Sequence, residues 1–166
     1  MSVNNVREHV LQIRNCKPDD ILTVRRFVSL CKPLGVHTGY TYWMLFNYFG
    51  DSCFLMEENG VPIGYISGMK SSTFKDVFFL WQIGVAAEFR DRGYAYLLLE
   101  KAMEAAKRLD CKVMQFSIES ASEVGYKAIS GFAKRNNLKM SALGEIKYPH
   151  SVRETIEQDT LYEITI

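Results

Sequence analysis

Between Val77 and Leu109 the sequence changes its hydrophobic period once, and a glycine stands at the change. The stretch "VFFLWQIGV" is apolar almost throughout, as expected of a central strand buried on both faces. After Gly93, the residues Ala95, Leu98, Leu99, Ala102, Met103, Ala106 and Leu109 recur at helical spacing. Between the two lies "AAEFRDRG", with two arginines around an acid and Gly93 at its end. Buried strand, short turn and amphipathic helix in succession require a sheet that carries helices on its faces.

The same junction has chemical content. A strand-to-helix turn aims several backbone N–H groups outward, and the first helical turn adds the positive end of its dipole. A diphosphate can sit there, because Gly93 leaves room for close approach while Arg90 and Arg92 raise the local positive potential. That is the physical meaning of the pattern R-x-x-G-x-A from Arg90 to Ala95. A surface loop with arginines produces the same letters, so the elements on either side carry the distinction.

The rest of the chain supplies those elements. "VLQIR" reads as a first strand starting at Val10 or Leu11. "CKPDDILTVRRFVSLC" reads as a helix, with Pro18 in its first turn, Asp19 and Asp20 at its positive end, and Ile21, Val24, Phe27, Val28 and Cys31 facing inward. "KPLGVHTG" breaks it, and the aromatic "YTYWMLFNYF" forms a short helix. "CFLMEENGVPIGYISGMK" is a hairpin turning at Asn59-Gly60. "CKVMQFSIE" is a strand, "SEVGYKAISGFAKRNN" a helix with Ser122 at its N-cap, and "DTLYEITI" a last strand. The order β-α-α-β-β-β-α-β-α-β implies one α/β (α+β) domain over residues 1–166, a mixed sheet with helices on both faces.

Composition narrows the function. With 48% hydrophobic and 23% charged residues, neither disorder nor a fibre is indicated. A net charge of +1 offers no electrostatic case for nucleic acid or an anionic membrane as partner. The four cysteines are far apart and the three histidines show no ligand spacing, so no metal and no disulfide framework is expected. No apolar run reaches the roughly 18 residues that span a bilayer, and the N-terminus lacks a signal design, so a cytoplasmic protein is expected. His9 and His150 read as surface residues.

With these residues in view, the chain resembles the GNAT superfamily of N-acetyltransferases, whose acetyl-CoA signature Q/R-x-x-G-x-G/A falls at such a strand–helix junction. The resemblance covers essentially the whole chain. It implies a GNAT-like acyl-CoA N-acyltransferase fold: a mostly antiparallel sheet with one splayed strand pair, the pantetheine arm pairing with the opened strand. Acetyl-CoA is then the co-substrate, a small-molecule amine the acceptor, and a homodimer the possible assembly. Carried over residue by residue, the coenzyme would meet the main chain of Ile83, Gly84 and Val85, the turn Arg90, Asp91, Arg92 and Gly93, the helix start Tyr94, Ala95 and Tyr96, and Ser122, which replaces the family's asparagine. Many members carry a tyrosine where this chain has Ile129.

"FFLWQIGV", "HTGYTYWMLF", "GDSCFLMEENGVPIGYISG" and "LYEI" are similar, more narrowly, to the 2,4-diaminobutyrate acetyltransferases of ectoine biosynthesis. That pattern's tryptophan and two tyrosines fall on Trp81, Tyr40 and Tyr42, whereas Gly35 and His37 replace its aspartate and asparagine. The substrate side implied is His37, Thr38, Tyr40, Tyr42 and Trp81. Residues two apart on a helix diverge by roughly 200°, so Tyr40 and Tyr42 cannot face one pocket, and the resemblance favours Tyr40. Glu119, at the end of "VMQFSIE", reads either as the base that frees the amine or as a solvated strand-end carboxylate. A peptide N-acetyltransferase and a coenzyme-binding module without catalysis are the competing readings.

Overall fold

The computed structural model describes residues 10–119, 122–150 and 152–166, so His9 lies outside the described residues. Seven strands form one sheet in the order β1-β2-β3-β4-β5-β7-β6. They are β1 (Leu11–Asn15), β2 (Cys53–Glu58), β3 (Val61–Lys70), β4 (Val77–Val85), β5 (Val113–Glu119), β6 (Met140–Pro149) and β7 (Ile156–Thr165). Four helices accompany them: α1 (Ile21–Leu30), α2 (Gly39–Tyr48), α3 (Tyr94–Arg108) and α4 (Glu123–Arg135). Only β4 and β5 run parallel, joined by α3 as crossover; every other neighbouring pair is antiparallel.

Local chemistry explains most of these boundaries. Asn59 and Gly60 turn the β2–β3 hairpin with φ of 51° and 79°, the double positive φ of a type I′ turn. Pro18 opens a short 3-10 turn that runs into α1. Asp20 accepts from the Lys17 amide at 2.7 Å and pairs with Arg14 at 2.8 Å, while Arg14 also reaches Glu57 at 2.9 Å, so β1 is tied to both β2 and the helix start. The inward stripe of α1 is buried at Val24, Phe27 and Val28, and that of α3 at Leu98, Leu99, Ala102, Ala105 and Ala106.

Helices cover both faces, and each face has its own core. On one, α3 and α4 press Leu98, Leu99, Ile129 and Phe132 onto Ile66, Phe78, Leu80, Met114 and Phe116. On the other, α1 and α2 press Val24, Phe27, Tyr42 and Leu45 onto Cys53, Leu55 and Tyr65, with Trp81 at the margin. Ile129 therefore belongs to the core under α4.

One strand escaped the sequence reading. β6 is the outer edge of the sheet and is exposed over most of its length, so "MSALGEIKYP" has no buried face to impose alternation. The last strand also starts earlier than "DTLYEITI", at Ile156, where it pairs with β6 beyond the reach of β5.

The functional geometry comes from where β4 and β5 part. Their pairing stops at Phe79 and Gln115, after which β4 runs on to Val85 and β5 to Glu119 without a shared ladder. The expected splay is present. On its other side, the Ala86 amide donates to the Ile63 carbonyl at 2.9 Å. By ladder alternation, Ile83 and Val85 then turn their own N–H and C=O groups away from β3, into the opening.

Candidate active site

A cleft of about 710 Å³ lies at the mouth of the splay. Its walls are Ile83, Gly84 and Val85 of β4, the turn and helix start at Arg90, Asp91, Gly93, Tyr94, Ala95 and Tyr96, and the face of α4 from Ser122 to Arg135. Cys31, Lys32, Pro33 and Leu34, after α1, close the fourth side. Lys32, Arg90, Lys127 and Arg135 are cationic and Asp91 alone is acidic, so the lining favours a polyanion.

The turn has the geometry that could hold an anion. Gly93 has φ of 82° and is the N-cap of α3, and Asp91 before it has φ of 61°. The first helical bond of α3 runs from the Leu97 amide to the Gly93 carbonyl at 3.2 Å. Upstream, among the described residues, the amides of Arg92, Gly93, Tyr94, Ala95 and Tyr96 donate to no protein acceptor. A Cβ on Gly93 would meet nothing within 4 Å.

Two arginines behave differently from the sequence expectation. The Arg90 guanidinium lines the cleft but is bonded to main-chain carbonyls: Nε donates to Val85 and Nη2 to Lys32, both at 3.1 Å. Its Nε and one Nη2 N–H are thereby engaged, leaving the Nη1 donors and the charge. Arg92 does not line the cleft and lies 5.1 Å over the Phe89 ring. The positive character of the turn rests on main-chain amides more than on either side chain. Ser122 holds the N-cap position of α4 and lines the cleft, but its hydroxyl makes no capping bond. Sequence reasoning missed Lys32, Lys127 and Arg135, whose spacing along the chain carries no signal of their convergence.

On the sheet face below the α1–α2 connection stand the residues expected on the substrate side, none of which lines the cleft. Trp81 is half-buried, with the His37 ring tilted over it at 4.3 Å between centroids. Tyr42 is fully buried and donates to Gln82 Oε1 at 3.3 Å. Tyr40 is 74% exposed and stacks on Trp43, so of the two tyrosines the structure turns Tyr42 inward and leaves Tyr40 at the surface. Thr38 is the N-cap of α2, its Oγ1 accepting from the Thr41 amide at 3.2 Å. The structure thus joins His37, Trp81 and Tyr42, and does not bring Tyr40 or Thr38 to them.

Burial holds the His37 imidazole below its ordinary value of 6.5. The ring is therefore neutral at pH 7, and the unfolded chain binds more protons than the native one just below pH 6.5. Stability contributed by neutral His37 is complete above that pH and is lost as pH falls through the window beneath it. Melting curves should accordingly show a loss of stability below pH 6.5 that is smaller in His37→Gln. Equal acid sensitivity in the two proteins would contradict this placement of the ring.

Across the opening, Glu119 is exposed at the end of β5 and paired in register with Asp159 of β7. Asp159 is 8% exposed, the one buried carboxylate among the described residues. Its oxygens accept from Ser117 Oγ at 2.8 Å and from Tyr148 Oη at 3.1 Å. Burial, with the bond to Asp159 adding to it, pushes the Tyr148 phenol up to about 12, so it remains a donor. The parallel pairing of Phe79 with Gln115 puts Gln115, Ser117, Glu119 and Asp159 on the sheet face that carries Trp81. Asp159 sits inside "EQDTLYE", and nothing in that string marks it for burial; its strand partner β6 was the missing information.

Among the described residues no three His, Cys, Asp or Glu stand together as metal ligands, and no helix is long and apolar enough to cross a membrane. All four cysteines are buried free thiols.

Comparison with known proteins gives three findings. The family described as "Acetyltransferase (GNAT) family" matches residues 22–130. The L-2,4-diaminobutyric acid acetyltransferase of Halomonas elongata is 31% identical over 126 residues, 75% of this chain, and that of Chromohalobacter salexigens is 30% identical over the same length. The matched stretch spans 66% of the length of each of these relatives. The diaminobutyrate acetyltransferase EctA from Paenibacillus lautus, solved with its substrate L-2,4-diaminobutyric acid and coenzyme A, superposes with a TM-score of 0.83 at 22% identity, covering 95% of both chains. The fold is the one expected from the signature.

Proposed function

This chain belongs to the acetyltransferase (GNAT) family, and we propose that it moves the acetyl group of acetyl-CoA onto an amine of a small diamino acid, 2,4-diaminobutyrate or a near relative. The observation that carries the reading is the set of undonated amides from Arg92 to Tyr96, at the mouth of a cationic cleft that opens onto the free edge of β4. Those amides suit the pyrophosphate, and the main chain of Ile83 with the N–H of Val85, whose carbonyl already accepts from Arg90 and Cys31, suits the amide-bearing pantetheine arm. The relatives named above act on, or are named for, a diamino acid, which agrees with two carboxylates on the acceptor side.

The chemistry asks for a neutral amine, a polarised thioester carbonyl and a leaving thiolate, which takes its proton from solvent water. An N–H of β4 facing the opening would bond the thioester oxygen more strongly as negative charge develops on it. Glu119 would take the proton of the attacking amine, directly or through a water, while Asp159 holds the second ammonium and Trp81 offers its ring face to the cation. His37, neutral at pH 7, completes the wall beside Trp81. The same reading carries a cytosolic setting, which free buried thiols suit, and a homodimer, which a sedimentation mass of two chains would show.

The experiment is calorimetric titration with acetyl-CoA followed by a thiol-release assay on L-2,4-diaminobutyrate, single amino acids and short peptides. Saturable heat and fastest turnover on the diamino acid are expected. No heat with acetyl-CoA would end the reading, and preference for peptides would replace the acceptor.

A further inference from the structure

The segment Lys32–Thr38, which joins α1 to α2, borders both halves of the site. Lys32, Pro33 and Leu34 wall the coenzyme cleft, and His37 lies on Trp81. It has no regular secondary structure, yet three side chains from three places donate to its carbonyls. Arg90 reaches the Lys32 carbonyl at 3.1 Å, Gln82 Nε2 the Gly35 carbonyl at 2.8 Å, and Arg25 Nε the His37 carbonyl at 3.2 Å. Gln82 is 6% exposed and uses both ends of its amide, accepting from Tyr42 as it donates to Gly35. The segment is also seated tightly on β4. A Cβ on Gly84 would come within 2.7 Å of both Cys31 Sγ and Leu34 Cδ1, so a larger residue there would have to push these two side chains off the strand.

Resting on the acetyltransferase reading, we propose that Lys32–Thr38 is a clamp shared by the two substrates, and that Arg90 is its positioning residue. Arg90 lies in the coenzyme-side turn but spends its donors on Lys32 and Val85, the start of the connection and the end of β4. Cys31 Sγ donates to the same Val85 carbonyl at 3.4 Å, so strand end, turn and connection meet at one oxygen. Coenzyme seated against Lys32–Leu34 then fixes the frame from which Gly35 and His37 present the acceptor wall. Coupling of this kind is reciprocal: the factor by which coenzyme tightens acceptor binding is the factor by which acceptor tightens coenzyme.

Arg90→Met keeps the aliphatic stem and removes the donors. The KM for L-2,4-diaminobutyrate should rise about tenfold, the loss expected when charge-assisted bonds to the connection disappear. The affinity for adenosine 3′-phosphate 5′-diphosphate, the coenzyme's anionic end, should fall by no more than about threefold, well short of the change in KM. Hydrogen exchange supplies a readout apart from activity: coenzyme A should slow exchange at residues 35–38 in the parent protein and not in the variant. Gln82→Met, which frees the same segment from the strand side, should give the same pattern and stands in if Arg90→Met does not fold. Binding of the anionic fragment to Arg90→Met weakened beyond about threefold, with or without a KM change, would make Arg90 an anion ligand and overturn the clamp. Unchanged KM and exchange in either folded variant would overturn it too. A parent protein that binds no acetyl-CoA ends the acetyltransferase reading and the clamp together, whereas an active parent with indifferent variants ends the clamp alone.

Discussion

Gly93→Val should abolish measurable acetyl-CoA binding, with affinity reduced at least about a hundredfold. Two costs act together. Gly93 holds φ of 82°, where a β-branched residue is strained by more than the ~1–2 kcal/mol typical of L-residues in that region, so the turn will relax to another conformation. Relaxation re-aims the free amides from Arg92 to Tyr96, and each charge-assisted bond lost to a pyrophosphate oxygen is worth about 1.5–3 kcal/mol. If the turn instead keeps its shape, the new side chain stands in the open space where the anion belongs. Two lost bonds alone reach a hundredfold. The core should be indifferent, because the Gly93 Cβ meets nothing within 4 Å. Calorimetry for affinity and a melting curve for integrity separate the two effects; a folded Gly93→Val protein that binds acetyl-CoA normally would remove the cradle from the account.

How far the sequence could be read depends on how local each signal is. The hairpin turn at Asn59-Gly60, the stripe on α3 and the glycine opening that helix are each encoded within a few residues, and each stands where it was expected. The floor of the cleft was legible for the same reason, since one strand, one turn and one helix start supply it. β6 was not legible, because an exposed edge strand has no buried face and so no period to display. The grouping around Trp81 was less legible for another reason: it is assembled from β4, β5, β7 and the α1–α2 connection, and depends on register. The choice between Tyr40 and Tyr42 turned on helix phase, which the uniformly aromatic "YTYWMLFNYF" conceals; the structure buries Tyr42 and exposes Tyr40. Arg90 was expected to add charge to the turn, and what the motif could not show is that its guanidinium bonds the Val85 and Lys32 carbonyls.

Asp159→Asn should lower kcat/KM for L-2,4-diaminobutyrate by about a hundredfold while leaving acetyl-CoA affinity unchanged. The amide preserves shape, accepting from one of Ser117 and Tyr148 and donating to the other, so the neighbouring strands need not move. What disappears is the negative charge, and removing one partner of a desolvated ion pair costs roughly 3–5 kcal/mol, less in a site open to solvent on one side. Without substrate the sign reverses. Among the described residues no cation lies within ion-pair distance of Asp159, so its carboxylate is desolvated with two hydroxyl donors as its side-chain partners. Neutralising it relieves that cost, and the variant should melt at the same temperature as the parent or above it. A group kept for folding would show the reverse pattern, with a lower melting temperature and kinetics untouched. Lost turnover on the diamino acid together with retained stability therefore identifies Asp159 as a charge held out of water for a ligand, whereas intact turnover would return the acceptor ammonium to Glu119 alone.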